Sequence, residues 1–415
     1  MSKLIITGKR ELSGEIITSS SKNSSLPIIA ASILGNGTTR IINVPNISDV
    51  KIMIELLRGI GAKVDYYKNT LSINPESINC TELVQEISSK IRASFQFLGP
   101  FLAKYGKAKI YYPGGCNIGT RPIELHLKGL SSLGAYIIKE NGFVEVMANK
   151  LIGTKIYLDF PSVGATENIL MASVLAEGET TIDNAAEEPE ITDLANFLNK
   201  MGARIYGAGT DSIKITGVNK LTACSYEPIP DRIEAGTYMV AAAITRSKIK
   251  IKNVHEDCLK PVSAKLKEMG VNIESGDDAI IVDGKNELKC TDIKTMPFPG
   301  FPTDMQAQIM ALLSTVKGTS IITETVFENR FNHINEFNKM GTNISVSGKS
   351  AIIQGVDKIR GCKVCASDLR AGAALVLMGL CAEGDTEIAD MDHIERGYDS
   401  LHLKLENIGA QIFKV

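Results

Sequence analysis

Hydrophobic and polar positions along the chain alternate between two periods, and the change of period recurs. Runs such as ATENILMASVLAE (165–177) and RAGAALVLMGLCAE (370–383) place apolar residues three and four apart, the spacing of a buried or half-buried helix. Short alternating stretches follow, such as GETTIDNA from Gly178 and GTSIITE from Gly318, in which successive side chains face opposite sides of a strand. A second helix then stops at a glycine and gives way to another strand. This pattern occurs as LLRGIGAKV, LSSLGAYII, FLNKMGARI, LKEMGVNIE, FNKMGTNIS and LENIGAQIF. The glycines are Gly61, Gly134, Gly202, Gly270, Gly341 and Gly409, at intervals of 68 to 73 residues. Each has a counterpart 23 to 28 residues upstream that opens a β-rich stretch: Gly37, Gly106, Gly178, Ser247, Gly318 and Gly384. Glycine at the helix end suits a left-handed cap. The spacing therefore predicts a unit of helix, strand, connection, helix and strand, repeated six times.

Six units divide evenly into two α/β lobes of three. The segment EPIPDR (Glu227–Arg232), with two prolines ahead of a new helix, marks a candidate boundary. The strand Leu4–Thr7 precedes the first complete unit and is free to complete a unit of the second lobe. That makes one domain discontinuous, 1–21 plus 230–415, with 22–229 as the other. A cleft between two similar lobes is a common place for a ligand.

Composition narrows the function. Of 415 residues, 45 are Lys or Arg and 47 Asp or Glu, a net charge of −2, without the basic excess that binds a phosphate backbone. With 44% hydrophobic residues the chain has enough apolar content to fold. The apolar stretches Leu26–Leu34 and Ala373–Ala382 fall short of the roughly 18–20 residues of a membrane span. Lys3, Lys9, Arg10 and Glu11 interrupt any signal-peptide core, so a cytoplasmic location is expected. The eight cysteines, at 80, 116, 224, 258, 290, 362, 365 and 381, are then expected to be reduced. Cys362 and Cys365 fall in a predicted strand whose positions three apart face opposite sides. The histidines at 126, 255, 333, 393 and 402 show no metal-ligand spacing. No metal site is expected.

The most informative stretch is YYPGGCNIGTRPIELH, Tyr111 to His126. Its glycines let the backbone approach a ligand closely, Pro122 suits the first turn of a helix, and Arg121 near Cys116 would lower the thiol pKa. A glycine-rich surface turn with an incidental cysteine accounts for the same residues. Lys22, Arg92, Arg370 and Arg396 each stand near a predicted helix start. They are either solvated surface cations or a set converging on an anion between the lobes, where Arg offers a fork and Lys a point charge. Asp304, in FPTDMQAQ, fits an N-cap or, beside an anion, a general base on a sugar hydroxyl. Arg330, in ETVFENRFNH, stands near two aromatic residues and fits packing equally well.

Together these motifs resemble one family. Lys22-Asn23, RAS at Arg92, PGGCNIGTRP, SVGAT at Ser162–Thr166, PDRIEAGT, FPTDMQAQ, ETVFENR, SDLRA and ERGY occur in that order from end to end. The chain is similar to the UDP-N-acetylglucosamine 1-carboxyvinyltransferases, enolpyruvyl transferases of peptidoglycan precursor synthesis whose sister family makes 5-enolpyruvylshikimate 3-phosphate. The resemblance implies an α/β fold of two inside-out α/β barrel domains, with the active site in the cleft between them. It implies phosphoenolpyruvate and UDP-N-acetylglucosamine as substrates, and no cofactor. It places Cys116, Asp304, Lys22 and Arg396 in catalysis, and Lys22, Asn23, Arg92, Cys116, Arg121 and Arg396 around phosphoenolpyruvate. Asn23, Arg92, Arg121, Pro122, Ile123, Glu124, Leu125, Ser162, Val163, Gly164, Asp304, Val326 and Arg330 would hold the nucleotide sugar, with Asp368 and Arg370 in support. Cys116 would be the thiol that fosfomycin alkylates. The sequence departs from the usual family pattern at Ser20 and Ser21, at Phe160 and at Glu124, where Gly-Ala, Lys and Asp are common.

Overall fold

Five of the six units build a four-stranded sheet, all in one strand order. In one of them Ile293–Lys294 pairs parallel with Thr319–Thr323, which pairs antiparallel with Ser350–Gln354, itself antiparallel to Asn343–Ser347. Lys155–Tyr157, Glu179–Asp183, Ser212–Thr216 and Arg204–Tyr206 repeat that order. The computed structural model describes residues 2–112 and 123–415. Each unit thus carries more strands than the two the sequence pattern predicts. The additional leading strands are as short as two residues, as at Ile293–Lys294 and Ser225–Tyr226, too short to show an alternation. The additional return strands follow a tight turn, as at Thr70–Asn74. Among its described residues the unit Lys107–Met147 has three strands, with one parallel bridge from Glu82 to Lys109 where the others have a leading strand.

Three units borrow a strand from a distant part of the chain, and in one of them Ser13–Ile17 adds the parallel edge to Lys248–Lys252. Leu4–Thr7 lies between Asp385–Ala389 and Gln411–Lys414, antiparallel to both. Ser225–Tyr226 adds the parallel edge to Thr39–Ile41. The chain divides into two compact bodies, residues 2–19 with 230–415 and residues 20–112 with 123–229. Ser20 and Ser21 lie with the second body. There the Ser21 N–H donates to the Ile229 carbonyl at 2.7 Å, and the Ser21 hydroxyl accepts from Ser24 N to cap the helix Lys22–Ala31.

Each body buries helices and faces its sheets outward. In the first, the helices Arg232–Ile244, Gln306–Leu313 and Leu369–Cys381 pack on one another, and all residues of Gln306–Leu313 are buried. A helix buried on every side, here with Gln306 and Gln308 among its apolar residues, belongs in a core. The surrounding strands alternate: in Lys248–Lys252, KIKIK, the isoleucines are buried and the lysines are not. Lys22–Ala31, Leu98–Tyr105 and Val163–Ser173 are the corresponding buried helices of the second body. Among the described residues no helix is long and apolar enough to cross a membrane.

The six unit glycines have φ between 92° and 108°, the left-handed region that a Cβ penalises. At the upstream positions the exception is instructive. Ser247 is buried and accepts from Leu12 N at 2.8 Å, and the left-handed residue is its neighbour Arg246, at φ 55°.

Candidate active site

In the body built from 2–19 and 230–415, chemistry gathers at Asp304. The position that would cap its helix is Pro302, and Asp304 lies inside a 3₁₀ turn, Thr303–Met305, without a capping bond. Asp304 Oδ1 instead accepts from Arg330 Nη2 at 2.6 Å, and Oδ2 from Arg370 Nη2 at 2.8 Å. Two charge-assisted bonds, each worth about 1.5–3 kcal/mol, outweigh a cap worth about 1 kcal/mol. The Arg330 and Arg370 side chains are 6% and 7% exposed, against 28% for Asp304. Asp304 is therefore the most exposed of the three side chains. Burial alone would push its pKa up. The guanidiniums of Arg370 and Arg330 override that and hold it well below the usual carboxylate range.

Further groups brace the arginines. Arg330 Nη1 donates to Thr303 Oγ1 at 3.2 Å, and its guanidinium lies 5.1 Å from the Phe327 ring centroid. Arg370 lies 5.6 Å from the ring centroid of Tyr398, whose hydroxyl is 2.9 Å from Thr237 Oγ1 and accepts from Gln308 Nε2 at 3.3 Å. Asp368 caps the Arg370 helix, its Oδ1 accepting from Arg370 N and Ala371 N. Val326, half-buried, sits on the loop between Glu324 and Arg330. Arg396 differs from expectation: it follows the short helix Asp392–Glu395 as its C-terminal cap residue.

In the body built from 20–112 and 123–229 the predicted cations start helical segments, as expected. Lys22 opens Lys22–Ala31 and pairs with Asp49 at 2.6 Å, the side chains being 11% and 2% exposed. Asn23 follows it, half-buried, and Arg92 opens the 3₁₀ segment Arg92–Phe97. Ser162 caps Val163–Ser173 by accepting from Ala165 N at 3.4 Å. Gly164 lies against the ring of His126, where a Cβ would stand 3.0 Å from Cε1, so a larger residue would need the ring to shift. Glu124 and Leu125 open the helix Glu124–Ser132, with Glu124 exposed and 3.6 Å from Lys139, and Ile123 is buried just before it. Cys116, Arg121 and Pro122 lie outside the described residues.

Three participants in this cluster, His126, Asn168 and Glu167, read from sequence as structural or give little signal. His126 is buried, and burial, with the charge of Arg92 behind it, pushes its pKa down to about 3. The ring is neutral, its Nδ1 accepting from Asn168 Nδ2 at 2.9 Å. Asn168 also donates to Phe95 O at 3.0 Å and accepts from Gly99 N at 2.8 Å, which fixes the orientation of its amide. Beside it Glu167 accepts from Gln96 Nε2 at 2.8 Å, and burial pushes its carboxyl up to about 8. The available signal was a Glu-Asn pair in the middle of an otherwise apolar helix. In the other body, the Cys365 thiol donates to Asp390 Oδ2 at 2.9 Å, and that bond, with burial, raises its pKa to about 11.

The family profile described as EPSP synthase (3-phosphoshikimate 1-carboxyvinyltransferase) matches residues 6–405. UDP-N-acetylglucosamine 1-carboxyvinyltransferase 2 of Clostridium tetani is 56% identical over 417 positions, with both chains covered in full. UDP-N-acetylglucosamine 1-carboxyvinyltransferase 1 of Clostridium acetobutylicum is likewise 56% identical, with the same coverage. The chain belongs to the UDP-N-acetylglucosamine 1-carboxyvinyltransferase family. Among solved structures, the enolpyruvyl transferase NikO from Streptomyces tendae superposes with a TM-score of 0.90 at 26% identity, covering 100% of this chain and 99% of its own. EPSP synthase from Acinetobacter baumannii shares the fold, with a TM-score of 0.74 at 19% identity over 100% of this chain and 99% of its own. The fold of this transferase family is the mixed α/β fold that the resemblance implies.

Proposed function

We propose that this transferase moves the enolpyruvyl group of phosphoenolpyruvate to the 3-hydroxyl of UDP-N-acetylglucosamine and releases phosphate, in the cytoplasm, as the first committed step of peptidoglycan precursor synthesis. The observation that carries the reading is Asp304, a partly exposed residue whose carboxylate is kept ionised between two buried guanidiniums in a chain of this family. An ionised carboxylate at neutral pH is a competent general base, and such a base contributes about 10²–10⁴ in rate.

Asp304 takes the proton of the sugar hydroxyl as its oxygen adds to C2 of phosphoenolpyruvate, while C3 gains a proton. Loss of a C3 proton with departure of phosphate then leaves the enol ether. Lys22, Asn23, Arg92, Arg121 and Arg396 hold the phosphate and carboxylate of phosphoenolpyruvate, with Cys116 handling a proton. A preorganised donor at a charge that develops in a dry site contributes about 10²–10³ in rate. Arg121, Pro122, Ile123, Glu124 and Leu125 hold the uridine, and Val326 and Arg330 line the sugar pocket. Ser162, Val163 and Gly164 take the diphosphate at a helix N-terminus, where backbone N–H groups and the helix dipole favour an anion. Fosfomycin reacts at Cys116.

Phosphate release from phosphoenolpyruvate tests the reading directly. Release with UDP-N-acetylglucosamine and not with shikimate 3-phosphate supports it. Release with shikimate 3-phosphate alone moves the chain to the sister activity, and release with neither overturns enolpyruvyl transfer.

A further inference from the structure

Thr303, Asp304 and Arg330 come from two stretches of chain, and one buried carboxylate joins them. Glu324 follows the strand Thr319–Thr323 and is 1% exposed. Its Oε2 accepts the Thr303 hydroxyl at 2.9 Å, and Oε1 accepts the N–H groups of Val326 at 2.8 Å and Phe327 at 3.1 Å. Thr303 Oγ1 accepts in turn from Arg330 Nη1, and Arg330 Nη2 holds Asp304. The carboxylate stands on firm ground. Its own N–H donates to Lys349 O at 2.8 Å, and the next residue, Thr325, is fastened to Thr295 by two hydrogen bonds.

The repeats show that the fold does not ask for this residue. Six positions after the residue that opens each β-rich stretch stand Asn43, Tyr112, Asn184, Asn253, Glu324 and Asp390. Asn43, Asn184, Asn253 and Asp390 have φ between 54° and 56°, a left-handed turn conformation that Asn and Asp tolerate best. Glu324 has no such φ and turns its side chain inward to the Thr303 and Val326 segments. Burying a carboxylate costs several kcal/mol unless hydrogen bonds replace its water. Here those bonds are made to the segments that carry Asp304 and Arg330.

We infer that Glu324 is a positioning residue for enolpyruvyl transfer. Through Thr303 it aims Arg330 and hence Asp304, and through two backbone amides it fixes the Val326 loop on the sugar side. The inference rests on the function proposed above and adds a residue to it.

The experiment compares the full-length wild type with Glu324→Gln, Thr303→Val and the double variant, reading kcat, the KM of each substrate and the melting temperature. Gln keeps a carbonyl oxygen for the Val326 and Phe327 amides but puts an N–H donor where the Thr303 hydroxyl needs an acceptor. Glu324→Gln is expected to lower kcat about 10- to 100-fold and leave the KM for UDP-N-acetylglucosamine within about threefold, the mark of an interaction expressed in the transition state. Thr303→Val should do the same, and the double variant should be no slower than the worse single one, because both cut one chain of contacts. Glu324→Ala, which also frees the loop, should raise that KM about tenfold. If Glu324→Gln does not fold, Thr303→Val still carries the kcat test. A wild-type kcat in Glu324→Gln or Thr303→Val, or losses that multiply in the double variant, overturns the inference alone. A wild type without acceptor-dependent phosphate release overturns the parent reading and this one with it.

Discussion

The two bodies cap their buried helices differently. Sixteen residues before the opening residue of a β-rich stretch stand Ser21 and Ser162 in one body and Asp231 and Asp368 in the other. All four accept from backbone N–H groups at a helix start. A carboxylate there neutralises the positive end of the helix dipole; a hydroxyl satisfies the same donors and leaves that end positive. The serine-capped body also carries Lys22, Arg92 and the neutral His126, whereas the aspartate-capped body encloses a carboxylate between two arginines. One duplicated architecture thus carries two electrostatic arrangements, serine-capped helix starts with Lys22 and Arg92 nearby and a carboxylate paired with two arginines. The fifth capping position is Pro302, which releases Asp304 from capping.

That contrast can be broken at several points. Lys22→Met removes a point charge of the serine-capped body and should lower kcat/KM for phosphoenolpyruvate by about 10²–10³, read by steady-state phosphate release. Arg370→Met leaves Asp304 with one guanidinium against burial. The wild-type carboxyl is depressed, so its ionised form, and the stability the pairing adds, persist above the ordinary Asp pKa of about 3.9 and are lost only as pH falls below it. In the variant the acid limb of kcat should move up by about one to two pH units, and an unmoved limb would assign it to another group.

A finer test changes only the cap. Ser162→Asp keeps a good N-cap but adds a negative charge at the helix start. It should weaken UDP-N-acetylglucosamine about tenfold by calorimetry while melting within a few degrees of wild type. Unchanged affinity would place the diphosphate elsewhere. The smallest expected effect concerns Glu167, whose carboxyl is pushed up to about 8. The folded state binds a proton there that the unfolded chain releases above pH ~4.5. Its contribution is complete below that pH and is lost as pH rises towards 8. His126, pushed down to about 3, acts in the opposite sense below pH ~6.5, because the unfolded chain gains a proton that the folded one refuses. In wild type the two nearly cancel between pH 5 and 6. Glu167→Gln should expose the His126 slope, about 1 kcal/mol per pH unit lost as pH falls, in denaturant unfolding at pH 5 to 7.

Much of this was legible in the sequence. The glycine spacing carries the repeat, and the motifs around Lys22, Arg92, Ser162 and Asp304 carry the family, because turn geometry and charge at helix starts restrict residue type locally. What escaped is what depends on partners far along the chain. The leading strands are too short to alternate, and their pairing is set by sheets assembled from other segments. Asp304 reads as a cap until Arg330, 26 residues on, and Arg370, 66 residues on, are brought to it. Asn168 reads as helix until its amide is found to bridge Phe95, Gly99 and His126.

The division of labour between the two clusters is tested most directly by Asp304→Asn, an isosteric change that removes the base and keeps the side chain's volume. With UDP-N-acetylglucosamine binding measured by calorimetry and phosphate release by a coupled assay on the same preparation, turnover should fall about 10³-fold while the dissociation constant stays within about threefold. Turnover near wild type, or losses of equal size in turnover and binding, would show that Asp304 holds the sugar or the fold and is not the base.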